Sequence, residues 1–229
     1  MNFDILDIFT TIKRYIQHQF NMWFFPVKIV KYQTSAISRS AYALSQLPHL
    51  KKKGIMVVDT ETTGFSKYAH VVQIAWNIYS ADGDLKSKQC HIIKPYNFKI
   101  PKKTADIHGI TNEIANQHGK PIRMVLNILK RDLELTDTLV AHNMSFDDRI
   151  LLNEFQRYGQ HDLIELWNSM DKQCTMKLAK QKLKLTKNPK LIDLYQLVVD
   201  GSDVHGLHNA DVDVKLCGEI YFRLKTQEL

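Results

Sequence analysis

Cysteine is scarce: Cys90, Cys174 and Cys217 are the three present in 229 residues, and they lie far apart. No Cys-x-x-Cys pair exists, so neither a structural zinc site nor a disulfide framework is indicated. This pattern fits a reducing compartment, and the expected location is cytoplasmic. Long apolar runs are missing too. The nearest is Met22–Val27, interrupted by Pro26 and far short of the roughly 18 residues that a membrane span needs. No transmembrane segment is expected, and the first residues, which include Asp4 and Asp7, do not read as a secretory signal. Repeats and low-complexity stretches are absent. With 44% hydrophobic and 24% charged residues, the composition is that of a packed globular chain rather than a disordered one.

What is in excess is positive charge. The formal net charge is +7 and the sequence pI about 9.2, which suits a polyanionic partner such as nucleic acid or an acidic membrane surface. The charge is uneven. Residues 1–53 hold eight Lys or Arg against Asp4 and Asp7, so the remainder is nearly neutral. In this arm Ile5, Ile8, Phe9, Ile12, Tyr15 and Ile16 recur at helical spacing, a second helical pattern runs from Ile37 to Leu47, and Lys51-Lys52-Lys53-Gly54 reads as a hinge. The expected organisation is therefore a helical N-terminal extension over 1–53 and one domain over 54–229. The extension reads either as a cap packed on the domain or as a docking segment for a protein partner or membrane surface, since Trp23, Phe24 and Phe25 sit near Lys28 and Lys31.

The main domain opens on Ile55–Val58, a short apolar run typical of a buried strand. Val71–Tyr79 reads as a second strand, Ala81–Asp84 as a turn, and Leu85–Lys94 as a hairpin-linked third strand. Pro121–Leu135 has helical spacing with Pro121 at a first-turn position, Thr138–Ala141 is a short strand, and Phe146–Tyr158 is a helix closed by Gly159. Helices are further expected over Thr175–Leu183, Leu191–Val199 and Ala210–Leu224. Three early strands followed by helix–strand–helix units predict an α/β domain with a mixed sheet.

Carboxylates sit at the ends of these elements. Asp59 and Glu61 in Val57–Gly64 are two residues apart at a strand end and therefore point to the same side. Acids crowded there repel each other unless a cation lies between them, and their oxygens are the hard ligands that Mg²⁺ prefers. Alternatively, Asp59 and Thr60 simply end the strand. Gly64 allows a turn that brings backbone close to a ligand. Asp147 opens a helix, where a dipole-stabilised first-turn acid is the plain reading. Yet it continues the buried-looking stripe Leu151, Phe155 and Tyr158, where an ionised acid needs a partner or a metal. Asp213 begins the stripe Leu216, Cys217, Ile220 and Leu224, and His208 lies just before that helix. An imidazole there can take a proton from water, although a lone loop histidine is more often a surface or capping residue.

Taken together and in this order, Asp59-Thr60-Glu61-Thr62-Thr63-Gly64, then His142-Asn143 with Phe146-Asp147, then His208, Ala210 and Asp213, resemble the DEDD 3′–5′ exonuclease family in its histidine-containing, DnaQ-like branch. The resemblance spans Ile55 to Leu224 and includes Ile107-His108-Gly109-Ile110-Thr111. It implies an RNase H-like fold, a mixed central sheet flanked by helices. It also implies two divalent ions, Mg²⁺ or Mn²⁺, held by Asp59, Glu61, Asp147 and Asp213. His208 is the implied general base; His205 is a rival that lacks the family's spacing to Asp213. The substrate implied is a single-stranded nucleic-acid 3′ end, with DNA favoured, and the product a nucleoside 5′-monophosphate, in proofreading or repair. RNA trimming, or a silent nucleic-acid-binding module, are the alternatives. Thr62, Thr63, Gly64, Phe65, His108, Asn143 and Phe146 are the expected substrate contacts. Phe65 or Phe146 would stack on a base for about 1–3 kcal/mol, with Phe146 equally readable as core. Residues 172–190 hold seven lysines and no acid, which fits a phosphate track or a solvated face.

Overall fold

The alternation expected along the first strand decides how the domain is layered. In the computed structural model, which describes residues 54–199 and 204–226, β1 (Gly54–Thr62) sits in the middle of a five-stranded sheet of order β3-β2-β1-β4-β5. Its partners are β2 (Val71–Tyr79), antiparallel, and β4 (Thr136–Ala141), parallel. The edges are β3 (Leu85–Ile92), antiparallel to β2, and β5 (Asp171–Cys174), parallel to β4. Met56 and Val58 pack into one apolar layer with Leu126, Ile150 and Phe155. Ile55 and Val57 face a second layer with Val214, Cys217 and Tyr221. Because both faces are covered, β2 is buried along its whole length.

The helices follow in chain order: α1 (Lys102–His108), α2 (Asn112–His118), α3 (Ile122–Leu133), α4 (Met144–Arg157), α5 (His161–Asn168), α6 (Thr175–Lys182), α7 (Leu191–Val199) and α8 (Ala210–Thr226). α3, α4 and α5 build the first layer and α8 the second. This is the mixed, helix-flanked sheet that the sequence implied. α8 reaches β2 because Gly218 is small: a Cβ there would stand 2.7 Å from the Tyr79 hydroxyl.

Several boundaries differ from the sequence reading. β3 stops at Ile92, and Ile93 makes an isolated bridge to Lys120 instead of extending the strand to Lys94. Pro121 caps α3 from outside rather than occupying its first turn. β4 starts two residues earlier, at Thr136, whose hydroxyl bonds the Leu133 carbonyl at 2.9 Å. α4 starts at Met144, so Phe146 lies inside it. α1, α2, α5 and β5 were not expected. α1 and α2 bury one residue each, His108 and Ala115, so neither writes an apolar stripe into the sequence. β5 is polar and exists through its pairing with β4. The helical patterns expected over 5–16 and 37–47, and the hinge at 51–53, lie outside the described residues. Among the described residues no helix is long and apolar enough to cross a membrane.

Candidate active site

The acids meet at the C-terminal end of β1. Odd-numbered β1 residues face α8 and even-numbered ones face α4, as the two apolar layers show. Asp59 and Glu61 therefore point toward α8, whose first turn carries Asp213. β4 runs parallel to β1, so the chain leaves it at the same end of the sheet and enters α4, whose first turn carries Asp147. Thr60 reaches across from the even face and donates from its Oγ1 to Asp147 Oδ1 at 2.8 Å. Gln73 pins α8 in place: its Oε1 accepts from the Ala210 backbone N–H at 3.0 Å. The neighbouring acid Asp148 is engaged elsewhere, accepting from Trp167 Nε1 at 2.8 Å and Lys172 Nζ at 2.6 Å.

Glu61, His208 and Asp213 each offer a ligand atom, and these atoms lie within 4.8 Å of one another. His208 is exposed, and its backbone N–H donates to Asp213 Oδ2 at 3.1 Å. It holds a left-handed backbone, φ 63°, that turns the chain into α8. His205 is not part of this triplet.

The electrostatics record the crowding. Burial, then repulsion from Asp147, Asp213 and Glu61, holds the Asp59 carboxyl well above the carboxylate range. Burial, then Asp213 and Asp147, pushes Glu61 up to about 8. Burial raises Asp147 to about 7 against the opposing Thr60 hydrogen bond, and raises Asp213 to about 6 against the nearby His208. Asp213 Oδ1 is buried without a hydrogen-bond partner. Four oxygen donors that resist shared ionisation, one of them with an orphaned atom, fit hard divalent cations.

Beside the acids lies a cleft of about 360 Å³, lined by Thr60, Glu61, Thr62, Gly64, Phe65, Thr104, Ile107, His108, Phe146 and His208. Phe65 is 80% exposed, and its ring centre is 5.8 Å from that of half-buried Phe146. Phe146 packs against the core and also walls the cleft. Thr62 Oγ1 donates to the Gly64 carbonyl at 2.8 Å. A Cβ at Gly64 would meet nothing within 4 Å, so its backbone faces open space. His108 Nδ1 accepts from the Ile110 N–H at 3.1 Å, which leaves the proton on Nε2. That Nε2 is buried, and burial lowers the pKa of the imidazole against an opposing interaction with the Thr62 backbone.

Two expected contacts are placed differently. Thr63 bonds His70 through both side chain and backbone and does not line the cleft. Asn143 is an exposed left-handed residue (φ 69°) before α4, its Oδ1 accepting from Ser145 Oγ at 3.1 Å. His142 is anchored between Thr175 Oγ1 and the Pro189 carbonyl, at 2.9 and 3.1 Å, outside the cleft lining. Thr104 and Ile107 join the cleft wall without having been expected there. Thr104 has no sequence signal, while Ile107 lies in the family-like segment 107–111 and could have been found through it. In the lysine stretch, Lys172 binds Asp148 and Lys182 the Leu224 carbonyl, while Lys177, Lys180, Lys184, Lys187 and Lys190 are exposed.

Among known families, the exonuclease family model of RNase T type matches residues 56–221. A PolC-type DNA polymerase III from Lacticaseibacillus paracasei is 26% identical over 190 residues, covering 82% of this chain and 12% of the polymerase. Among solved structures, E. coli exonuclease I in complex with a dA16 oligonucleotide aligns with TM-score 0.63 at 18% identity, covering 77% of this chain and 41% of that one. A zinc-bound E. coli exonuclease I–single-stranded DNA complex gives TM-score 0.62 at 19% identity, with 78% and 41% covered. The exonuclease I of Methylocaldum szegediense gives 0.64 at 16%, with 77% and 41% covered. The chain thus spans about two fifths of those enzymes and a small part of the polymerase.

Proposed function

The chain belongs to the RNase T-type exonuclease family, and on that premise we propose that it is a metal-dependent 3′–5′ exonuclease. It hydrolyses the terminal phosphodiester bond of single-stranded nucleic acid, DNA in preference to RNA, and releases nucleoside 5′-monophosphates in proofreading or repair. The observation that carries this reading is the meeting of Asp59, Glu61, Asp147, Asp213 and His208 at one strand end, beside a cleft walled by two phenylalanines. The oligonucleotide complexes of exonuclease I support a single-stranded substrate.

Asp59, Glu61, Asp147 and Asp213 would hold two divalent ions, Mg²⁺ or Mn²⁺. When bound, such ions supply Lewis-acid stabilisation of charge developing on the phosphate and leaving oxygen. Thr60 fixes one Asp147 oxygen and so orients the other. His208, exposed beside Glu61 and Asp213, accepts the proton of the attacking water. Phe65 and Phe146 hold the terminal base, and His108, on the wall of the same cleft, turns its Nε2 toward the substrate. The Thr62–Gly64 turn presents backbone to the terminal nucleotide, and Thr63 keeps that turn in register through His70. Asn143, left-handed at the entry into α4, is proposed as a further substrate contact.

The exonuclease domain is proposed to cover 54–229, with residues 1–53 as an N-terminal extension that serves either as a cap or as a docking segment for a protein partner. The protein acts in the cytoplasm, a setting consistent with Cys90, Cys174 and Cys217 all being free thiols. The test is degradation of 5′-labelled single-stranded DNA and RNA with Mg²⁺, Mn²⁺ or EDTA, beside Asp59→Ala. A metal-dependent ladder shortening from the 3′ end and absent in the variant supports the reading. No cleavage by the wild-type protein with either metal refutes it.

A further inference from the structure

A second and larger cavity, about 690 Å³, contains none of the acids. Its wall comes from three separate places: Lys94 and Tyr96 after β3, Arg123 at the start of α3, and Arg157 and Tyr158 at the end of α4, with His70 beside them. Three of these residues are cations, two are phenols, and no carboxylate lines the cavity. Arg157 is already committed, bonding buried Glu154 at 2.5 Å. Lys94 and Arg123 make no ion pair among the described residues. The Arg123 guanidinium lies 5.5 Å from the centre of the Tyr158 ring, and Tyr96 is 69% exposed. A flat aromatic surface beside uncompensated positive charge is the chemistry that takes a base and a phosphate together.

The cavity is connected to the acidic site by one helix. Asp147 lies in the first turn of α4 and Arg157 ends the helix, ten positions on. At 1.5 Å per residue this is about 15 Å, the reach of about four nucleotides at the roughly 3.4 Å rise of a stacked strand and of fewer in an extended one. Between them, Arg149, Asn153 and Arg157 recur every fourth residue on one face of the helix. They donate in turn to the carbonyls of Phe65, Lys67 and Tyr68, at 3.2, 2.8 and 3.4 Å. The loop after β1 is thereby laid along α4 from the cleft toward the cavity. It exposes Phe65 (80%) and Tyr68 (71%), with the Lys67 ammonium 5.0 Å from the Tyr68 ring centre. The result is a run of aromatic and cationic groups with the acids at one end and the cavity at the other.

We infer that this cavity binds a nucleotide of the substrate strand several positions upstream of the scissile bond. The base lies on Tyr96 or Tyr158 and the phosphate on Arg123 and Lys94. The inference rests on the exonuclease reading for the direction of the strand, but its test does not depend on turnover. Free mononucleotide carries the same chemistry and is the competing source of ligand.

The experiment uses the full chain with Mg²⁺ and fluorescent single-stranded DNA protected at its 3′ end by phosphorothioate linkages. Affinity is measured by anisotropy for a 3-mer and a 12-mer. The wild-type protein should bind the 12-mer about tenfold or more tighter than the 3-mer. Arg123→Gln and Tyr96→Ala, both at exposed positions, should each erase most of that advantage while melting at the wild-type temperature. Equal affinity of the wild-type protein for the two lengths, or a length advantage unchanged in both variants, overturns the inference. Calorimetric titration with dAMP separates the sources. If the variants lose a dAMP site yet keep the length advantage, the cavity serves free mononucleotide and the strand assignment falls. Length-dependent binding that is lost in the variants, in a protein that degrades no unprotected strand, would uphold the cavity and reject the exonuclease reading.

Discussion

Glu61→Gln should make the metal-free protein more stable at neutral pH while abolishing its turnover. Burial, then Asp213 and Asp147, lifts the Glu61 carboxyl from 4.5 to about 8. A folded-state pKa above the unfolded value means that the folded protein holds the proton more tightly. Stability from this group is therefore full below about 4.5 and lost as pH rises toward about 8. At about 1.4 kcal/mol per pH unit, the ionisation penalty at pH 7 has a ceiling of about 3 kcal/mol. Solvent reaching Glu61 at the rim of the cleft screens part of it and leaves about 1–2 kcal/mol. An uncharged amide of the same shape removes that penalty, so the melting temperature in EDTA at pH 7 should rise by about 2–8 °C. At pH 5 the two proteins should melt within about 2 °C of each other. Asp147, raised to about 7, and Asp213, raised to about 6, keep a residual slope in the variant. Adding Mg²⁺ should reverse the order, because the wild-type protein gains a full set of ligands and the variant does not. The assay is calorimetric melting from pH 5 to 8, with EDTA and with Mg²⁺. A Glu61→Gln protein that melts at or below the wild-type temperature in EDTA at pH 8 would refute the combined burial and repulsion that hold this carboxyl protonated.

The remaining predictions concern single contacts. His208→Ala should cut the rate by about 10²–10⁴-fold, the usual worth of acid–base catalysis, whereas His205→Ala should leave it near wild type; the reverse ranking in single-turnover assays would move the base to His205. Asp213→Ala should abolish cleavage with its circular dichroism spectrum preserved, and a retained rate would sink the four-carboxylate site. Phe65→Ala should raise KM for oligonucleotides by about 5–100-fold through lost stacking without lowering Tm, since the ring is 80% exposed; an unchanged KM would deny it a substrate role. Gly218→Ala should cost about 1–3 kcal/mol by overpacking, because the new methyl would stand 2.7 Å from the Tyr79 hydroxyl. Tyr79→Phe in the same chain should restore part of that loss in urea melts, and no recovery would place the strain elsewhere.

The candidate site residues are legible in the sequence itself. Asp59 and Glu61 share a face because a strand alternates with period two, and Asp147 and Asp213 stand at the starts of helices whose apolar stripes run through them. α4, α7 and α8 write their period openly, because each buries a regular face, while β1 and β2, covered on both sides, read as short apolar runs. Elements that bury almost nothing of their own are silent. α1 and α2 are seven residues long with one buried side chain each, and β5 is polar and held by its ladder to β4. Their stability comes from distant partners, and local sequence carries no trace of that. The same reason hides Thr104 on the cleft wall, the Thr60–Asp147 hydrogen bond across 87 residues, and the cavity assembled from residues 70, 94, 96, 123, 157 and 158. Which side chains can bind metal and move a proton follows from residue type and local period, and both are written in the order of the amino acids. What surrounds those side chains follows from the packing of remote segments, because burial, repulsion and the shape of a cleft exist only where such segments meet in space.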